Sequence, residues 1–420
     1  SDLQRDLDQE RNLTYVQFHN EPGGGGVIDS MSLNLSFHRQ TETRDRIRGN
    51  GNRQLQGFEA DTLGLWGRAA VETGIGRITF GAEWYRDDVD SFSSTNDIQG
   101  PVGDNATYDL IGVYVQNEVD LSERLSLVVG GRFTYARADA DAVQDPQTGE
   151  EISVEDDFDS FVGNARLTFE IIPEHLNLFG GVSQGFRAPN LSDLTRLDTA
   201  RTNEIETPSP GLDSEEFTSY EIGLKSRGEW WSLQTSYFYT DIQDLIIRTP
   251  TGRMIGMENE VTKRNSDGGF VQGIEFGASL RPHPDWTLFG NIAYLDSEVE
   301  TFPTSTADPI DEPLSRQMPL NGQVGLRYDD PHDAFWVEGL LRVSADADDL
   351  STRDIADTSR IPPGGTPGFE VFSIRGGWRP THNVNLTLAL ENLTDENYRI
   401  HGSGQNEPGR SFIVGVEVTF

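Results

Sequence analysis

Hydrophobic and polar residues alternate with a period of two along most of the chain. In one early segment, Met31, Leu33, Leu35 and Phe37 alternate with serine and asparagine, and the last residues, SFIVGVEVTF, repeat the pattern. Successive side chains of a strand point to opposite faces, so this period predicts strands, whereas no stretch shows a convincing helical period. We therefore expect an all-β protein.

The predicted strands number about seventeen, and many have ten or more residues, which is longer than the usual strand of a globular sheet. Tight turns are predicted near residues 74, 122–123, 173–174, 228–229, 282–284, 331–332 and 381–382. Long loops are predicted at 39–60, 88–107, 138–159, 186–215, 250–266, 300–317, 346–367 and 393–410. Because short and long connections alternate, all short turns fall at one end of the sheet. This asymmetry is typical of outer-membrane barrels.

The polar strand faces carry many charged residues, which a β-sandwich could expose to solvent and a barrel would turn towards a wet lumen. Sandwich strands are short and their loops are not sorted by length, so the barrel is favoured. The charged residues are Arg132, Arg166, Glu170, Glu221, Lys225, Glu275 and Arg281. Aromatic residues near strand ends predict girdles at the two membrane interfaces. They are Trp84, Tyr85, Tyr108, Trp230, Trp231, Tyr237, Tyr239, Trp286, Trp336 and Trp378.

Composition narrows the possible functions. Aspartate and glutamate total 69 against 33 lysine and arginine residues, a formal net charge of -36. This charge would repel a phosphate backbone and argues against a nucleic-acid partner. The absence of cysteine excludes disulfides and thiolate chemistry. No apolar run is long enough for a transmembrane helix, and the first residues, SDLQRDLDQE, do not resemble a signal peptide.

Two long motifs carry a family resemblance. Residues 391–410 read ENLTDENYRIHGSGQNEPGR, and residues 183–194 read SQGFRAPNLSDL and are followed by PSPGLDSEEFTSYEIGLK. Both resemble motifs of TonB-dependent outer-membrane receptors, in the same order. The matching residues of the first are Asn392, Leu393, Asp395, Tyr398, Pro408, Gly409 and Arg410. A terminal aromatic, here Phe420, resembles the signal by which the barrel assembly machinery recognises such barrels.

The resemblance implies an antiparallel transmembrane β-barrel of 22 strands with an N-terminal plug. Counting back from the C-terminus, we expect residues 1–420 to form one outer-membrane barrel domain with about seventeen of those strands. The plug and the segment that contacts TonB are then expected to lie outside this sequence. The implied location is the outer membrane of a Gram-negative-type bacterium, with lipid around the barrel.

The resemblance also implies a function: capture of a scarce nutrient at the cell surface and TonB-powered import into the periplasm. The expected ligand is an iron complex, either a ferric siderophore or haem. Alternatives are a cobalamin or carbohydrate transporter and a passive porin-like barrel. No nucleophile, base and orienting group come together among the seven histidines, so we do not expect an enzyme. No cofactor is required.

The FRAP stretch, residues 186–189, and the segment that follows it most closely resemble those of haem and haemoglobin receptors. In those receptors, a histidine in the loop after FRAP helps to ligate haem iron. Here residues 190–209 contain no histidine, tyrosine or methionine, so this loop offers no usual axial ligand. His401, and less so His38, remain as candidate haem ligands. We expect the loop to bind ligand through polar and aromatic residues, namely Phe186, Arg187, Pro189, Asp193, Arg196, Arg201, Glu204 and Glu206.

Two acidic clusters at predicted strand ends are candidate calcium sites, because calcium prefers several carboxylate oxygens within a short span. The alternative is ordinary solvated charge. The clusters are Asp139, Asp141 and Asp145, and Asp346, Asp348 and Asp349. Gly23 to Gly26 is expected to be a turn, since the lysine of a phosphate-binding loop does not follow it.

Overall fold

A computed structural model describes residues 2–21, 28–49, 51–200 and 203–419. The Gly23–Gly26 turn, Arg201 and Phe420 lie outside the described residues. Within them, seventeen strands form the wall of the molecule: β1 (Asp2–Asn20), β2 (Ser30–Arg48), β3 (Arg53–Thr73), β4 (Gly76–Ser93), β5 (Asp104–Ser122), β6 (Leu125–Gln144), β7 (Glu151–Ile172), β8 (Leu176–Arg187), β11 (Glu215–Arg227), β12 (Trp231–Gln243), β15 (Gly269–His283), β16 (Trp286–Thr301), β18 (Asn321–Asp329), β19 (Phe335–Ser344), β20 (Phe369–Thr381), β21 (Val384–Glu391) and β22 (Ser411–Val418).

The connections between wall strands contain a few short elements. These are α1 (Leu191–Thr195), β9 (Asp198–Thr199), β10 (Glu204–Glu206), β13 (Ile246–Ile255), β14 (Glu258–Asn265), β17 (Ile310–Glu312) and α2 (Thr352–Ala356). No helix among the described residues is long and apolar enough to cross a membrane.

Each wall strand pairs antiparallel with the next wall strand along the chain, from β1 to β22. The predicted all-β, antiparallel architecture and the strand count are therefore confirmed. The predicted tight turns are confirmed as well, since only short segments separate these strands at residues 74–75, 123–124, 173–175, 228–230, 284–285, 330–334 and 382–383.

Three predicted long loops are wrong. Most of residues 39–60 and 138–159 is strand, because β2 continues to Arg48 and β6 to Gln144 before narrow turns. Residues 250–266 lie largely in the β13–β14 hairpin. Polar residues occupy both faces of the extended parts of β2 and β3, where ion pairs such as Arg53–Asp45 connect the strands. A pattern based on hydrophobic alternation cannot detect strands of this kind.

The apolar face of the wall points outwards. Leu33 is 49% exposed and Phe161 is 73% exposed, whereas the alternating neighbour Ser32 is buried. Phe412, Val414, Val416 and Val418 of the last strand are also exposed. An outward apolar band over an inward polar face is the arrangement of a transmembrane barrel.

Aromatic rings on the inner face pack over glycines of the next strand, as Phe179 of β8 does over Gly223 of β11. Phe179 is 2% exposed, and Arg166 and Lys225 lie 4.5 Å and 5.3 Å from its ring centroid. This glycine provides the space for the ring and for the two cations beside it.

Replacing Gly223 with alanine should destabilise the wall by about 1–3 kcal/mol, because the added methyl would overpack this site. Its Cβ would collide with the Phe179 ring and lie 2.5 Å from the backbone oxygen of Thr235. The measurement is the denaturant midpoint of the folded barrel in detergent. Gly74→Ala, in a tight turn with open space around the added atom, is the control. Equal midpoints for the two variants would contradict this explanation.

Candidate functional site

Two connections on the long-loop side of the barrel fold together into a second, smaller sheet. The connection between β8 and β11 supplies β9 and β10, and the connection between β12 and β15 supplies the β13–β14 hairpin. The strand order is β13-β14-β10-β9, and β10 runs parallel to β14. We call this four-stranded unit the loop sheet. It joins two stretches that are separated in sequence by the wall strands β11 and β12.

Helix α1 attaches the β8–β11 connection to the inner face of the barrel. The Asn190 side chain accepts from the Asp193 backbone N–H at 2.9 Å, and the Asp193 carboxylate accepts from the Asn190 backbone N–H at 3.1 Å. This reciprocal capping box fixes the start of the short helix. Leu191 and Leu194 then pack into an apolar cluster whose other buried members include Ala136, Ala138, Ala140, Val143, Val154 and Phe158.

A chain of ion pairs fastens α1 and the loop sheet to the top of β8 and β11. We call it the clasp, and it consists of Arg187, Asp193, Glu206, Glu215, Arg248 and Lys263. The carboxylates are the most buried groups: the side chains of Asp193, Glu206 and Glu215 are 9%, 1% and 5% exposed. Buried charges of this kind are stable only when they are paired.

Lys263 is the central cation of the clasp. Its ammonium group lies 2.8 Å from the Asp193 carboxylate and 3.3 Å from that of Glu206. Arg187 donates to Asp193 at 2.6 Å and also pairs with Glu215, and Arg248 donates to Glu206 at 2.6 Å. The Glu215 carboxylate additionally accepts the Ile246 backbone N–H at 2.8 Å. The hairpin, the α1 loop and the wall are thus held by shared charges.

The charge state of Asp193 determines the pH below which the clasp loses its ion pairs. Burial alone would raise its pKa, but Lys263 and Arg187 outweigh burial and hold the pKa below the usual 3.8. A carboxyl group whose pKa is lower in the folded state stabilises that state above the unfolded pKa, and this stabilisation disappears as pH falls through the folded pKa.

We therefore expect the hairpin to stay docked from neutral pH down to about pH 4 and to become mobile only below that. The chain has no cysteine, and Met257 at the hairpin tip is 89% exposed, so a fluorophore on Met257→Cys can report mobility by anisotropy. A label on Gly74→Cys, at the opposite end of the wall, should show no transition in this range. A transition near neutral pH at the hairpin would contradict the assignment to Asp193.

A cavity of about 620 Å³ lies between the α1 loop and the inner wall formed by β1 to β5. Its apolar lining includes Phe58, Val89, Tyr108 and Leu191. Its charged lining consists of Arg5, Glu42, Arg44, Asp87, Arg196 and Asp198. A concave site of this size, mainly apolar with a few converging polar groups, is typical of small-molecule binding sites.

The profile of the family described as "TonB dependent receptor-like, beta-barrel" matches residues 2–393. The chain belongs to this family. Receptors of this family are outer-membrane proteins of Gram-negative bacteria, and the outward apolar band fits a wall surrounded by lipid. The matched relatives are receptors and transporters.

Individual relatives of this receptor barrel are distant. The chain is 22% identical over 250 residues to the hemoglobin-haptoglobin utilization protein B of Neisseria meningitidis serogroup C, covering 54% of this chain and 30% of that protein. Among solved structures, the copper transporter OprC superposes with a TM-score of 0.79 at 19% identity, covering 99% of this chain and 66% of that one. The hemophore receptor HasR of Serratia marcescens has the same TM-score and coverages at 15% identity. These likenesses establish a shared fold. The chain spans less than a third of the length of the hemoglobin-haptoglobin utilization protein B.

The structure places the predicted ligand-binding residues in different surroundings. Arg187, Asp193 and Glu206 belong to the clasp, and Glu204 and Pro189 are also buried. Arg196 lines the cavity, and Phe186 is half-buried at the end of β8. Their contact with a ligand stays a prediction.

Sequence reasoning missed Lys263, Arg248, Glu215 and Arg44 as partners of this loop. Two of them offered a signal: Lys263 is one of just two lysines in the chain, and Glu215 lies in the family motif that contains PSPGLDSEEFTSYEIGLK. Arg248 and Arg44 look like ordinary charged strand residues, and their role depends on which loops meet in space.

The motif near the C-terminus, residues 391–410, forms a loop held by its own hydrogen bonds. The Asn392 amide donates to the backbone oxygens of Glu396 at 2.8 Å and Pro408 at 3.2 Å. The Asp395 carboxylate accepts the Arg410 backbone N–H at 2.8 Å, and Gly409 leaves room for that carboxylate. The Tyr398 ring packs on Phe369 with centroids 4.6 Å apart. These residues stabilise the last long loop.

His401 lies inside the same loop and is 8% exposed. Its Nδ1 atom is 2.9 Å from the Thr366 hydroxyl, and burial lowers its pKa. The ring is therefore engaged with a neighbouring loop. Its role as a haem ligand stays a prediction.

Four of the six residues in the two acidic clusters have protein partners. Asp141 accepts from Asn105 at 2.8 Å, Asp145 accepts the Gln147 backbone N–H at 2.7 Å, and Asp346 accepts the Gly368 backbone N–H at 2.7 Å. Asp139 lies 3.6 Å from Arg137, and Asp348 and Asp349 follow Asp346 in the same loop. In the part of the chain that the structure describes, no three His, Cys, Asp or Glu residues form a group that could hold a metal ion. Calcium binding stays a prediction.

Proposed function

We propose that residues 1–420 form one outer-membrane barrel domain of a receptor that captures an iron complex and imports it with energy from the inner-membrane proton gradient, transmitted by TonB. The observation that carries this proposal is the combination of the loop sheet and the cavity beneath the α1 loop. Two loops clasped together beside a concave, partly apolar site make a structure suited to retaining one ligand. A passive pore has no need of such a clasp.

The choice of an iron complex is supported by the names of relatives, one for hemoglobin-haptoglobin utilization and one for a hemophore receptor. We favour a ferric siderophore over haem for this chain. The α1 loop has no usual haem-ligating side chain, and His401 is buried against Thr366. Cobalamin or a carbohydrate is the next candidate class of ligand.

Transport is tested with radioactive iron in cells that carry the receptor gene and in a matched deletion strain. We expect uptake of one or more ferric siderophores to disappear on deletion of the receptor and also in cells that lack TonB. Uptake that requires the receptor but persists without TonB would favour the passive porin. Loss of labelled cobalamin uptake, with unchanged iron uptake, would favour the cobalamin alternative.

Haem binding is tested by titrating the receptor in detergent with haem and following the Soret band. We expect no saturable shift, because residues 190–209 provide no axial donor and the His401 ring is buried. His401→Ala is the control, and its spectrum should match that of the unsubstituted receptor. A saturable shift that His401→Ala abolishes would contradict this expectation and identify His401 as the haem ligand.

A further inference from the structure

One carboxylate in the 620 Å³ cavity pairs with two arginines from different parts of the barrel. Asp198, at the start of β9, lies 2.9 Å from the Arg44 guanidinium on β2 and 3.6 Å from that of Arg196. The Asp198 side chain is 5% exposed, and those of Arg44 and Arg196 are 13% and 30% exposed. This ion-pair group connects the loop sheet to β2.

The two guanidinium groups have more donors than their surroundings satisfy. Each has five N–H groups, and the Nε atoms of Arg44 and Arg196 are buried without a hydrogen-bond partner. The Arg196 Nε atom is 3.5 Å from Glu206, which is an ion-pair distance without hydrogen-bond geometry. A buried donor without a partner costs free energy, so an anion that reached these donors from the position of Asp198 would be stabilised.

The rest of the cavity favours an aromatic ligand. Phe58 and Tyr108 supply rings, and Val89 and Leu191 supply aliphatic surface close to the arginines. An aryl group could pack on this surface while its anionic oxygens face the guanidinium groups.

We propose that this cavity binds an aryl carboxylate group, which takes the place of the Asp198 carboxylate on Arg44 and Arg196. The group would be one arm of the imported iron complex, so this part of the inference rests on the proposed function. Because the Asp198–Arg44 ion pair connects β9 to β2, its replacement by ligand would also remove this link between the loop sheet and the wall. Ligand binding is thereby coupled to movement of the loop sheet.

The test uses 4-fluorobenzoate and its neutral counterpart 4-fluorobenzamide with the receptor in detergent, followed by fluorine NMR against a detergent blank. We expect 4-fluorobenzoate to bind and 4-fluorobenzamide to bind at least about tenfold more weakly, because charge-assisted hydrogen bonds are lost. Arg44→Gln and Arg196→Gln should each weaken binding of 4-fluorobenzoate by about tenfold.

Asp198→Asn separates ligand binding from a structural role, because the two explanations predict opposite signs. If an anion competes with Asp198, removing its charge should tighten 4-fluorobenzoate binding by about threefold or more. If the ion pairs only support the fold, Asp198→Asn should weaken binding as Arg44→Gln does, and that result would overturn the proposal. Arg39→Gln, on the same strand as Arg44 but in an exposed ion pair outside the cavity lining, is the matched control and should leave binding within about twofold.

Absence of 4-fluorobenzoate binding to the unsubstituted receptor would also overturn the proposal. These measurements use no iron and no cells, so they are independent of the transport assay. If 4-fluorobenzoate binds as expected while iron uptake does not depend on the receptor, the cavity assignment stands and the proposed function fails. If 4-fluorobenzoate does not bind while iron uptake does depend on the receptor, the cavity assignment fails and the proposed function stands.

Discussion

Replacing Lys263 with methionine should detach the β13–β14 hairpin from α1 while the barrel wall stays folded. The Lys263 ammonium group is the shared partner of Asp193 and Glu206, whose side chains are 9% and 1% exposed. Removing one member of a buried charge group leaves uncompensated charge and costs about 3–5 kcal/mol. Hydrogen exchange measured by mass spectrometry should accelerate by at least about tenfold in peptides from residues 188–214 and 244–268, because the free energy of local opening falls.

The matched control is an exposed ion pair. Arg39 pairs with Asp61 and Glu59, and its side chain is 45% exposed. Exposed pairs contribute about 0–1 kcal/mol, so Arg39→Gln should change exchange in these peptides little. If Lys263→Met leaves exchange unchanged as well, the clasp makes no net contribution to docking. If exchange rises across the wall strands too, the loop sheet and the wall are one cooperative unit.

The wall of the barrel could be predicted from the sequence because one physical rule governs all of its strands. Lipid outside and polar surroundings inside require alternation, as in β2, where Leu33 and Leu35 are exposed and Ser32 is buried. The rule fails for the upper parts of β2 and β3, where segments such as TETRDRIR have no lipid-facing side. There, backbone pairing and cross-strand ion pairs maintain the strands without an apolar face.

The candidate site could be predicted only in part. The motif around Arg187 and Asp193 was visible in the sequence, but their partners were not. Lys263 lies 70 residues from Asp193, and Arg44 lies 154 residues from Asp198. Such pairs depend on how loops close over the barrel, and loop closure is set by many weak contacts with no sequence period. Motif residues could therefore be located correctly without their structural roles.

The surface against which α1 packs also could not be predicted from the hydrophobic pattern, because it is made largely of alanine. Ala136, Ala138 and Ala140 alternate with charged residues at the end of β6, and alanine contributes little to a hydrophobic pattern. In the structure all three alanines are almost fully buried beneath the α1 loop. Small side chains here let the helix approach the wall closely.

Leu194→Ala should release α1 from this surface. Leu194 is fully buried in the apolar cluster, and removing a buried leucine costs about 2–5 kcal/mol through lost contacts and the cavity left behind. Limited proteolysis should then cut residues 188–214 faster, because docking of the loop protects its backbone. Leu121→Ala, at an exposed position of β5, should not change the cleavage rate. Unchanged cleavage in Leu194→Ala would mean that the clasp alone holds the loop, whereas faster cleavage in both Leu194→Ala and Lys263→Met would show that apolar packing and ion pairs are each necessary.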